Sequence, residues 1–533
     1  MSFEVLCRDL LGRIGRLETK SSVVETPLLL PVINPVIQPI SPKKMQEEFK
    51  CQALITNAYI LKKHFGNELV KKGIHDFLDF SGAIMTDSGA YQILVYGNVD
   101  VSPKEIVRYQ EEIDADIATI LDVPTGWGIS KRYAEQTVNE TLARAKNLVK
   151  TKTRGDIIWV GPVQGGQYLD LITYSAKEMG KLPFEIHALG SPTLVMEQYL
   201  FDTLVEMILT AKMNLPLERP LHLFGAGHPF MFSLAVALGC DLFDSAAYAI
   251  YARENRYLTE YGTIRLDELE YFPCSCPICG KNNPKDVKTM PETQRQEMLA
   301  FHNLHVSFSE MKRIKQAIIE GRLWEHLEVR AHGHPSIFKA LRKIAKYRDY
   351  LEKHSPLSKK SGLFFFSSLA QTRPEVVRHE ERLFQRYSPP KEKVLVLLPQ
   401  TQMKPFHKSW EYQRNLKETM QKLNNKASSI HVCIYAAPFG VIPSELDEIY
   451  PLSQHEIATP LDAETIDYVA KQVENYILST NYRKVVLCQG DENWGRKILA
   501  ACRKACRINK IPLMALKTKT KTNATDNPCA SGV

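Results

Sequence analysis

The sequence predicts an α/β fold: a (β/α)8, or TIM, barrel carrying a zinc-binding insertion, followed by a smaller α/β domain. Three observations lead there. Short β-rich apolar runs alternate with helical patterns eight times between the N-terminus and about residue 250, as strands of a parallel sheet do. Nearly every run closes on a small or polar residue, and in a parallel barrel those closing positions gather at one end. Beyond a turn-rich, charged stretch at 354–362, three more buried-strand runs appear, again separated by helical patterns. A chain of 533 residues exceeds one ordinary core, so more than one domain is expected.

The eight runs are, in order, 28–33, 53–57, 83–87, 117–122, 157–161, 185–190, 221–225 and 242–244. The polar or small residues at or just beyond their ends are Asn57, Asp87, Asp122, Gln164, Gly190, His228 and Asp244. They are far apart in sequence, yet a barrel brings them to a single mouth, where such folds carry their chemistry. An open doubly wound sheet is the competing architecture. Gly225-x-Gly227 is no dinucleotide fingerprint, because the third glycine is missing.

The cluster Cys274-x-Cys276-x2-Cys279 is read as an insertion interrupting the last barrel units. Three thiols within six residues, followed by a helical run bearing His302 and His305, supply the ligands of a closed, structural Cys3His zinc site. An iron–sulfur cluster would need a fourth nearby cysteine, and the next is Cys433. An amphipathic helix near 337–351 closes the barrel domain. Its basic side (Lys339, Arg342, Lys343, Lys346 and Arg348) is a candidate phosphate-binding face. The organisation expected is therefore 1–353 for the barrel, with the zinc subdomain at about 270–310, then a linker at 354–369. An α/β accessory domain follows at 370–515, and 516–533 forms a disordered basic tail.

Composition narrows the class. The chain is 44% apolar and 24% charged, as soluble globular proteins are. No apolar run is long enough to span a bilayer, and no basic-then-apolar leader opens the chain. A cytoplasmic location is expected, with thiols kept reduced for the core or for metal. The net charge of +8 permits a nucleic-acid partner without demanding one.

Two stretches carry chemistry. Asp87 stands at a strand end before the small-residue turn Ser88-Gly89-Ala90 and the ring of Tyr91; Asp244 stands at another, flanked by small residues. Either aspartate alone reads equally well as a helix N-cap. Together, across one barrel mouth, they are the equipment of glycosidic-bond chemistry, one attacking the anomeric carbon and the other managing protons.

The motifs Asp87-Ser88-Gly89-Ala90-Tyr91-Gln92, Val163-Gln164-Gly165-Gly166, Phe243-Asp244 and Cys274-x-Cys276-x2-Cys279…His302 together resemble tRNA-guanine transglycosylase. Ile120-Leu121-Asp122-Val123-Pro124-Thr125 and Leu223-Phe224-Gly225-Ala226-Gly227-His228-Pro229 are similar to its archaeal, archaeosine-forming branch. The likeness covers about residues 1–350 strongly and extends into the accessory domain through Arg373–His379 and Pro438–Pro443. It implies exchange of a guanine in tRNA, at position 15 of the D-arm, for 7-cyano-7-deazaguanine (preQ0). Asp244 would be the nucleophile and Asp87 the proton carrier. Asp122 and Gln164 would read the base edge, Tyr91 would stack on its face, and Gly190 would offer backbone groups. The resemblance makes His302 the fourth zinc ligand, with His305 one helical turn on, and it implies a homodimer. Longer archaeal relatives end in an RNA-binding PUA domain, for which no sequence is found here. Either a separate PUA-containing protein supplies that grip or the tRNA is bound differently. A non-catalytic tRNA-binding subunit is the alternative, although such paralogues tend to lose the nucleophile and Asp244 is present. A bacterial-type anticodon enzyme is disfavoured by Ser245-Ala246-Ala247-Tyr248-Ala249.

Overall fold

The computed structural model describes residues 3–90, 101–390, 393–423, 430–490 and 492–517, which fall into two compact units. In the first unit the eight runs become eight parallel strands: β1 (Leu28–Ile33), β2 (Ala53–Asn57), β3 (Ala83–Asp87), β4 (Ile117–Thr119), β5 (Ile158–Val163), β6 (Ile186–Leu189), β7 (Leu221–Leu223) and β8 (Leu242–Ser245). They pair in chain order, and β8 closes the barrel against β1 with Asp244 beside Leu30. The doubly wound alternative is thereby excluded.

Strand side chains alternate between faces, so one parity fills the barrel and the other meets the helices. Leu28 and Leu30, Ala53 and Ile55, Ala83 and Met85, Ile158 and Val160, Ile186 and Ala188, and Leu242 pack together as the interior. Carrying that parity towards the strand ends reaches Asn57, Asp87, Gln164, Gly190 and Asp244. Polar residues line the mouth because they occupy the inward register one layer above an apolar plug.

The other end of the barrel is closed by an element the alternating pattern did not suggest. Phe3–Asp9, Gly12–Glu18 and Val23–Thr26 form an antiparallel sheet, and its Phe3, Leu17 and Val24 join the interior cluster. Arg13 from this sheet makes a buried two-pronged ion pair with Asp241, at 2.7 and 2.9 Å, just before β8.

The cysteine cluster does not interrupt the last strands. β8 is complete at Ser245, and the insertion follows it, between the helix Ala247–Arg253 and the 29-residue helix Glu292–Glu320. The basic helix is also revised. It breaks after Pro335–Ile344, and its cations are largely paired: Lys339 with Asp202 at 2.9 Å, and Lys343 and Lys346 with Glu206 at 3.1 and 2.9 Å. On its side facing the helix Phe201–Lys212 these lysines, two of them more than half exposed, pair with acids of the same unit.

The second unit is a five-stranded sheet of β9 (Val394–Pro399), β10 (Ile430–Ala436), β11 (Gly440–Pro443), β12 (Lys484–Gln489) and β13 (Leu513–Lys517), in the order β11-β10-β9-β12-β13. Only β11 runs antiparallel to its neighbour. The stretch 354–369, expected to be a linker, is partly built in: Leu363–Phe365 pairs with His455–Ile457, and Lys359 makes a buried ion pair with Glu375 at 2.8 Å. The expected tail lies outside the described residues from 518 onwards. Among the described residues no helix is long and apolar enough to cross a membrane.

Candidate active site and metal centre

Asp244 ends β8 at the mouth, with a side chain only 15% exposed. Its Oδ1 accepts two hydrogen bonds, from His222 Nε2 at 2.9 Å and from the Gly225 backbone N–H at 2.9 Å. No described residue bonds Oδ2. Gly225 can present its N–H because it turns the chain at φ +63°, and a Cβ there would sit 2.8 Å from Thr193 Oγ1. An open carboxylate oxygen on a fixed group is what a nucleophile needs.

Asp87 ends β3 opposite. Asn57 donates from Nδ2 to its Oδ2 at 2.8 Å, and Gly89 donates its backbone N–H at 3.3 Å. The Asn57 amide is oriented by its own cap, since its Oδ1 accepts from Ile60 N–H at the start of the helix Ala58–Lys72. Burial, reinforced by the negative charges of Asp122 and Asp244, pushes the Asp87 carboxyl up to about 7.

Beside them lies a buried amide network. Gln164 donates from Nε2 to Asp122 Oδ2 at 2.5 Å and accepts at Oε1 from Thr125 N–H and Ser191 Oγ, each at 2.9 Å. Burial raises Asp122 to about 6, opposed by the Gln164 bond. Gly190 makes this network possible: a Cβ would fall 2.2 Å from Gln164 Nε2. The Gly190 N–H itself is committed to the Val163 carbonyl at 2.9 Å, so space, and not that donor, is its contribution.

The structure thus brings Asp87, Asp122, Gln164, Gly190 and Asp244 together, while Tyr91 lies outside the described residues. His228 serves the fold: its Nδ1 accepts from Phe230 N–H at 3.2 Å, and burial lowers it to about 3. Sequence reasoning missed His222, Thr125 and Ser191. His222 was detectable by parity, standing two positions before Phe224 in an inward register. Ser191 adopts φ +60°, a left-handed conformation that favours glycine and aims its hydroxyl at Gln164.

The metal centre assembles as the spacing suggested. Ligand atoms of Cys274, Cys276, Cys279 and His302 all lie within 4.8 Å of one another and could hold a metal ion. His302 Nε2 donates to the Leu258 carbonyl at 2.9 Å, which leaves the Nδ1 lone pair towards the thiols, 3.4 Å from Cys279 Sγ and 3.5 Å from Cys276 Sγ. Tyr257 stacks on the imidazole with centroids 3.6 Å apart. His305 instead packs on Phe49 and Phe301, at 4.6 and 5.2 Å.

The barrel thus carries two carboxyls at its mouth, a buried amide network beside them, and a Cys3His cluster after the last barrel strand, and relatives with known activity give the class of enzyme this frame belongs to. Residues 7–336 match the family described as queuine tRNA-ribosyltransferase, and 376–527 match a domain family of unknown function. The chain is 44% identical to a tRNA-guanine(15) transglycosylase of Methanocaldococcus jannaschii, over 87% of this chain and 70% of that one. Relatives of the same name from Sulfolobus acidocaldarius and Pyrobaculum aerophilum are each 42% identical over 91% of this chain, covering 94% and 95% of theirs. The chain belongs to the queuine tRNA-ribosyltransferase family, the tRNA-guanine transglycosylases, and is a pentosyltransferase.

Proposed function

We propose that this enzyme exchanges guanine 15 of tRNA for preQ0 through a covalent ribosyl–Asp244 intermediate, as a step of archaeosine formation. The observation that carries the reading is the placement of Asp244, with one oxygen accepting two hydrogen bonds and the other open, in the same mouth as Asp87, whose carboxyl burial raises.

Asp244 Oδ2 attacks ribose C1′ as the C1′–N9 bond breaks, and the bonding electrons leave with guanine. The proton on Asp87 neutralises the departing base. PreQ0 then binds in its place, returns a proton from N9 to Asp87, and attacks C1′ from the opposite side. The ester bond breaks and the Asp244 carboxylate is restored. Two inversions give net retention, as in a retaining glycosidase. By family resemblance Asp122 and Gln164 would read the base edge, and Tyr91 would stack on its face. A base inside folded tRNA must leave its stack to reach the site.

Zinc suits Cys274, Cys276, Cys279 and His302, since three thiols and an imidazole with a carbonyl behind it form a closed structural set. That ion would hold the loop onto the helix Glu292–Glu320 and take no part in the chemistry. Family resemblance supports a homodimer. The test is incorporation of radiolabelled guanine into total tRNA, followed by mapping of the labelled nucleotide. Label at position 15 that is lost with Asp244→Ala, while tRNA binding persists, supports the reading. Label elsewhere, or equal exchange by both proteins, overturns it.

A further inference from the structure

His222 has no part in the chemistry described so far, yet it is fully buried and touches the group assigned as nucleophile. It lies on β7, its Cα paired with Leu242 of β8, two residues before Asp244. An ionised carboxylate can only accept, so the imidazole carries its proton on Nε2 and donates it to Oδ1. Among the described residues Nδ1 has no hydrogen-bond partner. The ring is held edge-on to Phe224, with centroids 4.8 Å apart and planes 70° apart.

We propose that His222 is the positioning residue of the nucleophile. With the Gly225 N–H it clamps Oδ1 of Asp244, fixes the carboxylate plane, and so selects Oδ2 as the attacking oxygen. The clamp also stays useful after attack. Once Oδ2 is esterified to C1′, Oδ1 is the carbonyl oxygen of the ester, and the same two donors polarise the C–Oδ2 system that must leave when the second base arrives. A single-bonded carboxylate without the clamp can rotate about Cβ–Cγ and present either oxygen, so a near-attack geometry is held for less of the time.

The proposal rests on Asp244 being the nucleophile, and the test separates the two. The measurement is the single-turnover rate of a denaturant-stable enzyme–tRNA adduct, for wild type, Asp244→Asn, His222→Met and His222→Gln. Met and Gln have similar length, but only Gln carries a donor near the position of Nε2. We expect His222→Met to slow adduct formation roughly 100-fold, the usual effect of losing one preorganised donor. Its tRNA Kd should stay within twofold of wild type, and His222→Gln should recover at least tenfold of the lost rate. A purely structural role would instead lower both variants in step with their melting temperatures. Adduct formation by His222→Met within threefold of wild type overturns the proposal. So does a folded His222→Gln as slow as Asp244→Asn, a comparison that stands even if the Met variant fails to fold. An adduct that survives Asp244→Asn shows that the underlying nucleophile assignment has failed, and the clamp falls with it.

Discussion

Adding one methyl group at Gly190 should disable base recognition while leaving the acids in place. A Cβ there would lie 2.2 Å from Gln164 Nε2, 2.6 Å from Cδ and 3.0 Å from Oε1, so the Gln164 amide must move. That amide makes three hydrogen bonds, one of them to the Asp122 carboxylate. Two neutral bonds at about 1 kcal/mol and one charge-assisted bond at about 2 give about 4 kcal/mol if all are lost. Partial relaxation leaves roughly 2–4 kcal/mol, equivalent to a 30- to 1,000-fold loss at 1.4 kcal/mol per tenfold. We therefore expect Gly190→Ala to raise the KM for guanine at least 30-fold in the exchange assay, with the Kd for tRNA little changed. A KM within threefold of wild type would refute the view that Gly190 is there to admit Gln164.

Other consequences follow from the same geometry. Because Asp87 sits at about 7 and its proton is needed to expel guanine, adduct formation should be level below that pH and fall about tenfold per unit above it; a rate rising through pH 8 contradicts the assignment. Cys276→Ser should lose bound metal and folded protein together, read by metal analysis and thermal melting, since binding such an ion is part of folding; a folded variant with full metal content contradicts it. Arg13→Ala leaves Asp241 buried without its ion-pair partner and should cost about 3–5 kcal/mol in denaturant unfolding. A loss below about 1 kcal/mol would show that the sheet closing the barrel does not depend on that pair.

The barrel was legible because its strands are buried on both faces, and so read as continuous apolar runs ending in a polar residue. The aspartates and the Cys3His set were legible by spacing and strand-end position. The N-terminal sheet was not: Phe3–Asp9 and Gly12–Glu18 mix charges and glycine with apolar residues, and their partners lie across the barrel end, as Arg13 does with Asp241. The pairing of the basic helix was not legible for a related reason, since Asp202 and Glu206 meet its lysines only in the tertiary structure. Ser191 could not be assigned from sequence, because its role comes from a left-handed φ that carries no one-dimensional signature apart from glycine.

The most direct test of the central claim is to trap the enzyme with tRNA, digest both, and locate the ribose-bearing residue by mass spectrometry. The account predicts a single modified peptide, with the sugar on Asp244. Modification at Asp87, or exchange that proceeds with no covalent species detectable in single turnover, would contradict it.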